Sequence, residues 1–347
     1  MRRPKQPISV RAYTRMAAAA AAVAATLLAT NASAADLKVT VTIKPVHALV
    51  TQVMEGVGVP TLLVQGAASP HTYALKPSDA RALNHADVFF RVSETIEPFT
   101  RKIVAALPDT VRTVTLAETP GLAVLDVRTG QTFEVHDHVD KDGHANEDGH
   151  GHEDGHDHDH GHSHEHSDHD HGHEVRDGHV WLDPENARKM VAEIARVLSE
   201  ASPPDAPAFA ANAARADAAL VALQAEIARD LAPLRGKPFV VFHDAFQYFE
   251  RRFGLEAVGS ITVSPEAQPS AKRLTEIRHK LAALSASCVF SEPQAQAKLV
   301  AAVIEGTSAR AGTLDPEGAL VTPGPDAYAT LLRNLAGGLK ACLAQSS

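Results

Sequence analysis

The chain has 347 residues, a formal net charge of −9, 44% hydrophobic residues, 20 histidines and two cysteines. That length and apolar content support two packed domains and exclude a wholly disordered chain. The acidity is concentrated in one tract, which argues against a nucleic-acid partner and says nothing of an acidic fold.

The N-terminus has the marks of an export signal. Arg2, Arg3, Lys5, Arg11 and Arg15 precede an apolar run from Met16 to Ala29, and "NASAAD" then offers a small-residue cleavage site after Ala34. The run has 14 residues, short of the ~20 that a spanning helix needs. Cleavage of residues 1–34 is expected, leaving an exported, periplasmic chain of 313 residues with a charge of −14. No later stretch is apolar enough to span a membrane, so no stable membrane insertion is expected.

Strands alternate with helices from there on. Lys38–Ile43 alternates polar and apolar residues as a strand does, and Val46–Glu55 follows as a helix. Thr61–Val64, Asp87–Val92 and Val111–Leu116 are further short strands, separated by helical stretches at Pro77–Ala86 and Ile96–Leu107. The alternation predicts a parallel sheet with helices on its faces.

A tract from His136 to His173 interrupts this lobe. It holds 14 histidines in 38 residues, with 12 acidic residues and one lysine. The histidines are His136, His138, His144, His150, His152, His156, His158, His160, His162, His164, His166, His169, His171 and His173. Such a composition buries too little to repay its ordering entropy, so a disordered insertion is expected.

"HVWLDPENARKMVAEIARVL" resumes the fold. His179–Leu182 is predicted as a short strand, Asp183 as an N-cap, Pro184 as the first helical residue, and the helix runs to about Glu200. "SPPD" at Ser202–Asp205 breaks it. A long amphipathic helix follows, with Phe209, Ala213, Ala216, Leu220, Leu223, Ile227, Leu231 and Leu234 on one face. Some 28 helical residues reach ~42 Å, enough to run along two lobes.

A second α/β set begins after "LRGKP". The strands are Phe239–Phe242, Leu255–Ile261, Cys288–Ser291 and Ser308–Leu314. The helices are Asp244–Phe253, Ser270–Leu284, Ala295–Glu305 and Asp326–Cys342. The predicted organisation is thus a leader (1–34), an N-terminal α/β lobe (35–201) carrying the insertion (136–173), a linking helix (202–235) and a C-terminal α/β lobe (236–347). No internal sequence repeat is visible.

Outside the tract six histidines remain: His47, His71, His85, His179, His243 and His279. His85 and His279 sit at helical positions and are expected to face solvent. His71 lies in a Gly/Ser/Pro loop behind a strand, His179 stands at the N-cap turn, and His243 directly follows "FVVF". Ligands of α/β sheets bind outside the strand ends, where such loops gather. Asp315, in "GTLDP" behind the last strand, would add a carboxylate. Three imidazoles with one carboxylate or water suit zinc better than manganese. A single histidine behind a strand is, by itself, more often a satisfied structural residue. The two cysteines, Cys288 and Cys342, could be a disulfide or two buried thiols, and export favours the disulfide.

From about Leu37 to Cys342 the chain resembles the metal-binding family of periplasmic solute-binding proteins, and within it the zinc receptors of bacterial ABC importers. The likeness is carried by "GAASPHTYALKPSD", "HVWLDPENA", "FVVFHDAFQYFERRFGL", "SPEAQPSAKRLTEIR", "CVFSEPQ" and "GTLDP". It implies two α/β lobes of Rossmann type, joined by a long rigid helix, with the metal in the cleft between them. It matches His71, His179 and His243 to the three zinc-binding histidines of the family, where manganese-type members carry Glu at the position of His243. It also matches the place of the His-rich insertion and pairs Cys288 with Cys342. In some close relatives a Glu precedes the first ligand; here that residue is Pro70, which leaves Asp315 or a water as the fourth ligand. His47, Asp244 and Glu292 are candidates to orient the ligands, since metal-bound histidines need a partner.

The expected function is capture of zinc and its delivery to a membrane permease by a monomeric receptor, not an enzyme. Alternatives are a manganese or iron receptor, a periplasmic zinc buffer, and a zinc hydrolase, which would need a general base in a substrate cleft beside the three histidines. The tract is expected to be an accessory collector of weak, interchangeable zinc sites at high local concentration. Its charge would change from −11 with neutral imidazoles to +3 with all protonated. Histidines of ordinary pKa, ~6.5, should release zinc as the pH falls toward 5.

Overall fold

The computed structural model describes residues 37–128, 176–262, 267–294 and 297–344. The leader with its site at Ala34 and the tract His136–His173 lie outside the described residues.

The first lobe is a four-stranded sheet of β1 (Val39–Val41), β2 (Thr61–Leu62), β3 (Val88–Arg91) and β4 (Arg112–Thr115), in the order β2-β1-β3-β4 and wholly parallel. Both faces of its central strands are covered: β1 is buried throughout, Thr40 included, and β3 runs apolar from Val88 to Phe90. α1 (Lys44–Val53), α2 (Pro77–Asn84) and α3 (Thr100–Val104) make the crossovers. Leu63, Leu83, Phe89 and Val111 form a cluster on one side, closed by Leu75, Phe99 and Ile103.

The second lobe repeats that topology with β5 (Phe239–His243), β6 (Ala257–Thr262), β7 (Cys288–Ser291) and β8 (Arg310–Thr313), in the order β6-β5-β7-β8, again all parallel. The lobes are therefore structural repeats without a sequence repeat. Helices α6 (Gln247–Phe253), α7 (Ala271–Ala283), α8 (Ala297–Ile304) and α9 (Ala327–Leu343) complete the lobe. Val240, Phe242, Ile261, Ile277, Leu281, Val289 and Val303 pack its core. Cys288 and Cys342 are joined as a disulfide, which ties the start of β7 to the end of α9.

Between the lobes run α4 (Pro184–Ala201) and α5 (Ala206–Leu231). The Asp183 carboxylate caps α4 by accepting from the Glu185 amide at 2.8 Å. α5 has 26 residues, which gives it a length of about 39 Å. It buries Phe209, Ala216, Leu220, Leu223, Ile227 and Leu231, most of the expected stripe. Asn212, near its start, is buried within that stripe and donates to the carbonyls of Val53 and Glu55 at the end of α1, both at 2.8 Å. Near its end, Glu226 and Asp230 accept from Arg333 and Lys340 of α9. One helix thus holds each lobe by a different end. Both lobes fall within one compact unit that begins at Lys38.

Two expectations are corrected. His179–Leu182 is not a strand: Val180–Leu182 forms one turn of 3-10 helix, in which the Leu182 amide donates to the His179 carbonyl at 3.1 Å. Asn186 takes the Val180 carbonyl and Asp177 takes the His179 amide, so local partners satisfy the backbone that a ladder would otherwise need. α6 starts at Gln247 rather than Asp244, because the Ala245 amide turns back onto the His243 carbonyl at 3.0 Å. Among the described residues, no helix is long and apolar enough to cross a membrane.

Candidate metal centre

His243 is the last residue of β5, and Glu292 directly follows β7. These two strands are neighbours, but the chain reaches β7 only after visiting β6 on the other side of β5. Their carboxyl ends therefore flank the switch point, where parallel sheets open a crevice. Glu292 Oε1 sits 2.5 Å from His243 Nδ1 and also accepts from the His243 amide at 3.2 Å. A carboxylate is an acceptor only, so Nδ1 carries the proton and Nε2 presents its lone pair.

His179 is built the same way from the first lobe. Asp177 Oδ1 accepts from both its amide and its Nδ1, at 2.9 and 2.7 Å. The residue between them is Gly178, where a Cβ would come within 2.5–2.7 Å of Ile96, Ser93 and Thr95. That close approach seats the Asp177–His179 turn against the loop behind β3. Burial alone would raise the Asp177 carboxyl, but His179, through its charge whenever the ring is doubly protonated and through its hydrogen bonds, holds it below its ordinary value. The Gln247 amide on α6 donates to the other oxygen, Oδ2, at 2.6 Å.

His71 comes from the loop behind β2, with its amide 3.3 Å from Ser69 Oγ. Its Nε2 is buried with no hydrogen-bond partner. Burial, reinforced by His179 and His243, pushes its pKa down to about 3, so it stays a neutral donor in acid.

The three imidazoles converge. Each offers a nitrogen, and these all lie within 4.8 Å of one another. His179 Nε2 and His243 Nε2 are 3.4 Å apart. With each Nδ1 proton given to a carboxylate, both of these nitrogens are electron-pair donors facing one gap, an arrangement that calls for a shared cation. Zn–N bonds of ~2.0–2.1 Å place the donors of a tetrahedral shell ~3.3–3.4 Å apart, which is the spacing of the His179–His243 pair.

Of the four nominated ligands, the structure brings these three together. Asp315 does not join the group. Its carboxylate accepts from the amides of Ala319 and Leu320 at 3.0 and 3.2 Å, closing the loop behind β8. Of the expected orienting residues, only Glu292 acts on a ligand. His47 Nε2 is 3.0 Å from the Pro60 carbonyl, and Asp244 accepts from Arg128. His85 and His279 are exposed. The sequence reading missed Asp177 and Glu317. The signal for Asp177 is its place two residues before a histidine across a glycine. Glu317 is 8% exposed, with Oε1 3.8 Å from His71 Nε2.

The described residues that flank the insertion meet beside this centre. Asp126 and Arg176 form an antiparallel bridge and an ion pair of 2.8 Å, and the Asp177 amide donates to the Leu125 carbonyl. Tyr248 of α6 donates to the Asp177 carbonyl at 2.7 Å and accepts from the Leu125 amide at 2.9 Å. Arg128 reaches Asp244 and Glu250 of the second lobe.

The family model described as zinc-uptake complex component A, periplasmic (ZnuA), matches residues 39–342. The chain belongs to the ZnuA family. It is 50% identical over 307 residues to the high-affinity zinc uptake system protein ZnuA of Brucella suis, an alignment covering 88% of this chain and 92% of that protein. It is 42% identical over 307 residues to the ZnuA of Paracoccus denitrificans, covering 88% and 91%. The crystal structure of the Zn(II)-bound ZnuA-like domain of AdcA from Streptococcus pneumoniae shares the fold, with a TM-score of 0.63, 23% identity and coverage of 89% and 99%. The ZnuA match takes in both sheets and all three converging histidines.

Proposed function

We propose that this chain is a high-affinity periplasmic receptor that captures zinc between its lobes and delivers it to the permease of an ABC-type importer. The observation that carries the reading is the convergence of His71, His179 and His243, two of them oriented by dedicated carboxylates. Three nitrogen donors favour zinc over manganese, which leans toward oxygen. Membership of a zinc-uptake family and zinc-uptake relatives at up to 51% identity support it.

Zinc is the cargo, and the chain carries it without chemical change. Residues 35–201 and 236–347 act as the two jaws, with 202–235 as the connector. The leader 1–34 directs export, and the tract 136–173 collects zinc weakly beside the cleft. The receptor works as a monomer and recognises neither nucleic acid nor the bilayer.

The decisive test is a competition titration with a chromogenic chelator on the purified chain. Wild type should bind one zinc tightly and manganese far more weakly, and H179A and H243A should each lose the tight site. Wild-type affinity in both variants would overturn the reading.

A further inference from the structure

The two lobes repeat one topology, so each sheet has its own switch point, the crevice where parallel sheets take their ligands. In the second lobe it lies between β5 and β7 and holds His243 with Glu292. In the first lobe it lies between β1 and β3, and the side chain that spans it is Glu97. Glu97 Oε1 accepts from the hydroxyl of Thr42, the residue after β1. Oε2 accepts from the amides of Val92 and Ser93, the two residues after β3, at 2.8 and 3.1 Å. Glu97 is fully buried. Burial pushes its carboxyl up to about 7, against the pull of these hydrogen bonds and of the Arg91 charge. An apolar side chain would avoid that cost, but it would leave the Val92 and Ser93 amides without their acceptor.

The same residue folds its own loop. Its amide donates to the Ser93 carbonyl at 3.0 Å, and its carbonyl accepts from the amide and hydroxyl of Thr100 at 2.9 and 2.7 Å. Ser93 Oγ lies 2.8 Å from Thr95 Oγ1 and accepts from the Ile96 amide at 3.4 Å. The residues fixed in this way, Ser93, Thr95 and Ile96, are the three that pack on Gly178 so closely that no Cβ fits there. Gly178 joins Asp177 to His179, so any displacement of the loop passes directly to the backbone of that turn. The site has little slack to absorb it, because His179 Nε2 and His243 Nε2 are only 3.4 Å apart.

We infer that Glu97 is a positioning residue of the zinc site, which acts through the loop Ser93–Ile96 and Gly178 to set where His179 stands opposite His243. This deepens the zinc-receptor reading and rests on it. Asp177 fixes the rotation and the proton of the His179 ring. Glu97 fixes the ground on which the Asp177–His179 turn is seated. The crevice that holds a ligand in the second lobe thus holds, in the first, the brace for that ligand's counterpart.

The test uses the full chain, titrated with zinc and, as a spectroscopic probe, with Co2+. E97A should weaken zinc binding by about tenfold, the lower end for residues that orient a metal's ligands, and shift the cobalt ligand-field bands. E97Q keeps a carbonyl for the two amides and an N–H to donate to Thr42, so it should recover most of both losses. G178A pushes the turn off the same loop and should also cost about tenfold. The E97A/G178A double variant should fall short of the product, because both act through one contact. C288S/C342S, which removes the disulfide, is the stability control: it should lower the melting temperature and leave affinity and bands alone. E97A with wild-type affinity and bands overturns the assignment, as do fully multiplicative effects of E97A and G178A, or an E97Q as weak as E97A. If H179A also keeps wild-type affinity, it is the three-histidine reading beneath it that fails.

Discussion

His243 and Glu292 meet across the carboxyl ends of β5 and β7, Nδ1 to Oε1 at 2.5 Å. Asp177 and His179 repeat the pairing in the first lobe at 2.7 Å. Each pair fixes one ring's proton on Nδ1 and turns Nε2 toward the other lobe. The centre is therefore assembled from two matched halves, one per sheet, with His71 closing the third side.

These pairs predict the effect of removing a carboxylate. E292Q and D177N should each weaken zinc binding by about ten- to a hundredfold, because partners that orient a metal-bound histidine are worth that much. The double variant should fall short of the product, since both act on one shared ion. Isothermal titration with a competing chelator measures both quantities.

Acid should separate the cleft from the tract. An exposed histidine titrates near ~6.5, so zinc on the tract must compete with protons below that value. His71 is held down to about 3 and keeps its lone pair. Between pH 7 and 5 the stoichiometry of zinc bound by the full chain should drop toward one per chain, while a deletion of residues 136–173 should show little change. A deletion that retains the weak, acid-sensitive sites would refute the collector role.

The same shift affects stability. The folded chain disfavours the His71 proton and the unfolded chain does not, so its contribution is complete above the unfolded value of ~6.5 and is lost as the pH falls toward 3. H71A should therefore flatten the acid limb of a melting-temperature profile of the metal-free chain.

Arg128 should matter more at neutral pH than in acid. Its guanidinium faces Glu250, a fully buried carboxyl whose pKa burial raises even with Arg128 beside it. R128A would strand that charge, at a cost of about 3 kcal/mol. A raised carboxyl pKa means that protonation relieves the strain as the pH falls through its range, so the deficit in urea-melt stability should shrink at low pH.

Cys288 and Cys342 enclose 54 residues of sequence separation. Loop-closure entropy for that length gives about 4 kcal/mol, toward the upper end of measured disulfides. The double serine variant should melt several degrees lower. It should bind zinc with unchanged affinity, because the pair joins β7 to α9 at the end of β7 opposite Glu292.

The alternation of strands and helices was legible from periodicity, and His71 and His243 stood out by their places behind strands. Legibility failed where tertiary partners decide. "HVWL" has a strand's composition, yet Asp177 and Asn186 occupy its backbone groups and fold it into a turn. The acidic residue that serves His179 lies two positions away, whereas the one that serves His243 lies 49 positions away, where only the sheet order brings it close. Residue type does not distinguish a carboxylate that faces a metal from one that closes a loop, as Asp315 does. The two amides that Asp315 accepts, from Ala319 and Leu320, come from the fold of its own loop and leave no mark in the sequence.

The bridge between Asp126 and Arg176 has a further consequence for how such chains change over time. The chain is joined to itself at Asp126 and Arg176, on either side of the His-rich segment, with Leu125, Tyr248 and Asp177 fastened beneath the bridge. When a loop's ends are already held together, doubling its length costs only about 0.6 kcal/mol. Insertions, deletions and reshuffling of histidines within the segment can then accumulate without disturbing the seat of His179. The seat of His179 is thus built from residues outside the segment, and a change of the segment's length or composition leaves that seat's own hydrogen bonds in place.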